Sequence, residues 1–83
     1  MQFKAMAIRV LIEGLVKLVV DEQIWDTTRA MVEDLWDMDI SGEEKARRVK
    51  EKLKVLGNIT SQSLLNILNE LAYLYVKSLK GAL

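Results

Sequence analysis

The sequence predicts an all-α fold, a small bundle of three to four helices joined by helix-turn-helix connections and completed by oligomerisation. Three observations carry that expectation. The 83 residues contain no proline, four glycines and five aromatics against 51% hydrophobic residues, a composition that suits helices packed on helices rather than sheets or disorder. Apolar residues recur at helical spacing along most of the chain. Two of the helices so defined are apolar around more of their circumference than one stripe requires, which calls for cover by a second copy. The length fits one domain, residues 1–83, near the lower size at which a single core holds without staples.

The first helix is expected over about residues 2–20. In IRVLIEGLVKL (8–18), Arg9, Glu13 and Lys17 stand four apart and form one ladder on a helix. Met6, Ile8, Val10, Leu11, Ile12, Leu15, Val16, Leu18, Val19 and Val20 take up nearly all the remaining surface. A bilayer span needs about 20 apolar residues, and a charge at its centre costs about 2.5–3.5 kcal/mol. This run is shorter and carries three charges. It reads as a largely buried helix with a narrow strip facing water or a polar seam, with an interfacial membrane segment as the alternative. The following VVDEQIW lacks the small-residue site of a cleavable signal.

A second helix is expected over about 22–38, with Met31, Val32, Leu35 and Trp36 on one side. It either continues the first or follows a bend near residues 21–28, with Asp26 or Thr27 as the cap of the restart. SGEE then offers a capping box, Ser41 as N-cap and Glu44 as the acid that reaches back. The basic helix after it, about 43–56, has a narrow stripe of Ala46, Val49, Leu53 and Leu56. Gly57 is expected to end it in a left-handed conformation. Thr60 is the expected cap of the last helix, 61–80, with Ile59 stapled onto Leu64 and Gly81 as the stop. That helix carries Leu64, Leu65, Ile67, Leu68, Leu71, Ala72, Leu74, Tyr75, Val76 and Leu79, too many for one stripe, and is expected to be central or an interface. The expected interface between copies draws on Leu11, Leu15, Val19, Trp25, Leu64, Leu68, Leu71 and Tyr75.

The chemistry of catalysis is sparsely represented. With no cysteine and no histidine, disulfides, thiolate ligands and the commonest general base are excluded, so neither catalytic residues, cofactor nor metal is expected. DMDISG matches the opening of a calcium loop at Asp37, Asp39, Ser41 and Gly42, but the twelfth position is Arg48 rather than a bidentate Glu. Glu33 and Asp37 stand one helical turn apart, yet no cleft that would shift their pKa values is evident. Charge is zero overall but sorted: residues 21–44 hold nine acids against Arg29, and 45–56 hold six cations against Glu51. Such sorting favours an acidic helix beside a basic one, within the chain or between copies. The run KARRVKEKLK has no interleaved aromatic and a strong acidic neighbour, so nucleic acid is not an expected partner.

Between Glu33 and Ala72, EDLW is followed by Gly42, Lys45, Val49, Leu53 and Gly57, then by Leu65, Leu68, Glu70 and Ala72. In these residues and their spacing the segment resembles the C-terminal region of the LL-H-type phage holins, small lysis proteins of bacteriophages. The resemblance implies a phage or prophage origin. Those holins carry an uninterrupted N-terminal transmembrane helix where this sequence has Arg9, Glu13 and Lys17, so pore formation does not carry over with it. The expected function is a small non-enzymatic phage or prophage protein acting by homo-oligomeric and protein–protein association, in the host cytoplasm or on the virion. The alternatives are a holin-like or antiholin membrane-associated lysis factor, and an inhibitor that caps a host enzyme with its acidic surface.

Overall fold

The computed structural model describes residues 2–81, and four helices form in the expected order: α1 (Gln2–Lys17), α2 (Glu22–Leu35), α3 (Gly42–Leu56) and α4 (Gln62–Leu79). Among the described residues there is no strand. The centre of the bundle is α4, which packs on each of the other three helices and buries Leu65, Leu68, Ala72 and Val76 almost completely. Its inner side is thus used up inside the chain, while Ile67, Tyr73, Leu74 and Leu79 remain exposed on the outer one. Trp25 and Val32 of α2 and Val49 and Leu53 of α3 close the core around it, and α1 adds Ile12 and Val16. Burying a Leu or Val side chain of this kind stabilises by about 1.5–3 kcal/mol.

The first two helices are separate. Their break lies earlier than the Asp26 or Thr27 restart that the sequence suggested. After Lys17 the chain tightens, with Leu18 and Val19 donating to carbonyls three residues back. Asp21 then caps α2, its carboxylate accepting from the Ile24 amide at 2.9 Å. Asp21 wins because an extended N-cap must precede the first free amides, whereas Asp26 pairs with Arg29 inside the helix. Thr28 is buried, and its hydroxyl donates to Ile24 O at 2.7 Å. At its other end α2 stops at Leu35, short of the expected residue 38. The Trp36 carbonyl there accepts from Lys45 Nζ at 2.8 Å, a cation placed where the helix dipole favours one.

Ser41 caps α3 as expected, accepting from Glu44 N at 3.0 Å. The box is half made, because the Glu44 carboxylate turns forward to Arg47 and Arg48 instead of back. Gly57 is not left-handed: its φ is −93° and the positive φ falls on Asn58, at 52°. Crowding explains the glycine instead. A Cβ at Gly57 would lie 3.1 Å from Leu53 O and 3.2 Å from the Ile59 Cδ1, so Ile59 reaches the core only over a residue without a side chain. Asn tolerates the left-handed region better than most residues, which lets the turn move one position on. Ser61, not Thr60, caps α4 by accepting from Leu64 N, and Gly81, at φ 70°, stops it. Leu56, expected in the α3 stripe, is exposed.

Candidate association surface

Two of the three ladder charges of α1, Arg9 and Glu13, face α4 while Lys17 is exposed, so α1 is not the largely buried helix with a solvent-facing strip that the sequence suggested. Arg9 Nη1 donates to the Ser78 carbonyl at 3.3 Å and lies 3.4 Å from its hydroxyl, while Tyr75 OH donates to Glu13 Oε1 at 2.8 Å. Ser78 and Tyr75, three apart on α4, thus meet Arg9 and Glu13, four apart on an antiparallel α1. Burial first, and then the hydrogen bond to Glu13, push the Tyr75 phenol above its ordinary pKa. Trp25 stands edge-on to Tyr75 with centroids 5.7 Å apart, and the Arg29 guanidinium lies over both rings. Trp25 and Tyr75 are therefore tied into the α1–α2–α4 junction.

Turning Arg9 and Glu13 inward leaves the other side of α1 outward, and that side is apolar. Phe3, Met6, Val10, Leu11 and Leu15, with Leu18 and Val19 just beyond the helix, are each half or more exposed, from 50% at Leu15 to 84% at Leu18. Ala7 and Gly14 lie among them and are also exposed. The face adds up to roughly 800 Å² of accessible surface, larger than the patches soluble monomers usually show and close to one partner's share of a standard interface. Lys4 and Lys17 are the charges on its rims. A crevice at the C-terminal end of α1 is lined by Glu13, Lys17, Asp21, Glu22, Asp26 and Arg29, four acids and two cations.

The eight expected interface positions divide accordingly. Leu11, Leu15 and Val19 lie on the open face. Trp25, Leu68 and Tyr75 are core residues with no surface to give a partner, and Leu64 and Leu71 are half-buried against that core. This division has one cause: α4 has three intramolecular neighbours and α1 has mainly one. Phe3, Met6, Val10 and Leu18 belong to the surface and are absent from the expected set. Their signal was the complement of the ladder, legible once Arg9 and Glu13 are matched to the polar positions Ser78 and Tyr75 of α4.

A second feature is a cleft of about 190 Å³ between α2, α3 and α4, lined by apolar residues with Lys45 and Asn69. Its wall holds Trp36 and Tyr73, stacked with centroids 5.2 Å apart. No carboxylate lines it, so it holds no acid–base pair. Asp37 and Asp39 are exposed, and Ser41 is engaged as a cap; no group of three or more metal-ligating side chains forms among the described residues. On α3, Glu44 is held down from 4.5 to about 2 by hydrogen bonds from Arg47 and Arg48, so part of the basic block is neutralised within its own helix. No helix among the described residues is long and apolar enough to cross a membrane. Comparison with protein-family models, with curated proteins and with solved structures finds no match in any of the three.

Proposed function

We propose that this is a small, non-enzymatic helical protein of phage or prophage type that acts by association, burying the outward face of α1 against a second copy of the chain. The observation that carries the reading is that face: five large apolar side chains of α1, with Leu18 and Val19 just after it, exposed on the side opposite the inward Arg9 and Glu13. The phage origin rests on the resemblance of residues 33–72 to the holins. Its working compartment is then the host cytoplasm or the virion. A further protein partner, of the phage or of the host, has the cleft beside Trp36 and Tyr73 as a seat for one apolar side chain.

A second reading has one observation in its favour. Lys4 and Lys17 border the apolar face, as cations border a helix that lies in a membrane surface. The acidic crevice at the end of α1 weighs against it, because four carboxylates beside the docking face are repelled by anionic lipid. Light scattering coupled to size exclusion, without detergent, decides between them. A defined oligomer at micromolar concentration is expected. A monodisperse monomer that sediments with anionic vesicles would replace the first reading with the second.

A further inference from the structure

The outward face of α1 is nearly palindromic, which specifies how a second copy would lie on it. Positions whose numbers sum to 21 match in character: Val10 with Leu11 at the centre, Ala7 with Gly14 one turn out, and Phe3 with Leu18 at the ends. Gly14 is the informative member. Glycine is disfavoured in the middle of a helix, and a Cβ at this position would meet nothing within 4 Å, so nothing within the chain requires it. A second helix approaching closely would. In an antiparallel pair centred between Val10 and Leu11, each Gly14 falls opposite the other copy's Ala7, and the two small residues let the helix axes approach while the larger side chains interlock on either side.

The helix dipoles favour the same orientation, since antiparallel packing opposes them and parallel packing brings like ends together. Lys4 of each copy then stands at the height of the other copy's Lys17. Lys4 and Lys17 lie about 140° apart around the helix at 3.6 residues per turn, on opposite rims, so they do not meet across the seam.

Resting on the association reading, we infer that two copies pair through α1 in antiparallel fashion, about a two-fold axis between Val10 and Leu11, with Ala7 of each against Gly14 of the other. The chain has no cysteine, so single cysteines report the geometry directly. Ala7→Cys and Gly14→Cys proteins, mixed and mildly oxidised, are expected to yield the mixed disulfide. Either alone is expected to stay largely unlinked, since like positions lie about 10 Å apart along the helix, beyond the reach of a disulfide. Gly14→Leu is expected to keep the helix content and weaken association at least about tenfold through overpacking. A dimer in which each variant links to itself, or that yields no mixed product, overturns the antiparallel arrangement and leaves association standing. A protein that is monomeric at every concentration removes both.

Discussion

Helices α1 and α4 are alike in sequence and opposite in use. Each is apolar around most of its circumference and is crossed by a few polar groups. α4 lies among three neighbours and hides Leu65, Leu68, Ala72 and Val76 as core, leaving Ile67, Leu74 and Leu79 exposed on its far side. α1 leans on α4, spends Arg9 and Glu13 on Ser78 and Tyr75, and turns its other side outward. What separates a buried apolar face from an exposed one is the number of neighbours a helix has within the chain, and that number is set by topology rather than by the helix's own residues.

Truncation should therefore have opposite consequences on the two helices. Leu68→Ala removes a side chain 1% exposed at the centre of the core and is expected to cost about 2–5 kcal/mol, as large-to-small core substitutions do. Leu15→Ser lies on the open face. It is expected to leave unfolding at low concentration within about 0.5 kcal/mol of the parent, as surface substitutions usually do, while shifting the oligomer to monomer. Chemical denaturation read with light scattering separates the two. Equal losses of stability would mean that α1 and α4 do not differ in kind.

How much was legible follows the same division. Four helices, the Ser41 cap and the Gly81 stop could be read because each depends on a few adjacent residues. The Ser61 cap and the left-handed Asn58 were displaced by one residue from the expected Thr60 and Gly57, since neighbouring polar residues compete for a cap and Ile59 decides what fits above position 57. The break at residues 18–21 was blurred because Asp26 and Thr27 are also capping residue types, and the sequence alone does not favour Asp21 over them. Phe3, Met6, Val10 and Leu18 of the exposed face were not expected there, because Trp25, Leu68 and Tyr75 look like anchors until α4 is known to be central. The inward turn of Arg9 and Glu13 depends on residues more than sixty positions away.

Two glycines extend the comparison to the backbone at smaller magnitude. Gly57 is crowded by Leu53 O and Ile59, whereas Gly14 faces open space. Gly57→Val is expected to destabilise by about 1 kcal/mol or more as Ile59 is pushed from its seat. Gly14→Ala, measured below the concentration of association, is expected to stabilise by up to about 1 kcal/mol through helix propensity. Thermal melts of the two variants check both signs. If Gly57→Val is neutral, Ile59 does not depend on the glycine beside it.

The smallest expected effect belongs to the solvent-facing side of α3, where charges rather than packing carry the local order. Glu44 accepts from Arg47 and Arg48, which lowers its pKa from 4.5 to about 2. A carboxylate depressed in the folded chain binds its proton more readily when unfolded, so its contribution is complete above about pH 4.5 and fades as the pH falls toward 2. Both arginines are solvent-exposed, so salt should screen the effect and its size should be slight. Glu44→Gln is expected to leave the Ser41 cap in place, because the cap uses the Glu44 amide rather than its side chain. The parent should then lose more of its melting temperature than the variant across that pH window, and the gap should narrow at high salt. Identical pH profiles for the two proteins would show that the arginines order Glu44 without stabilising the fold.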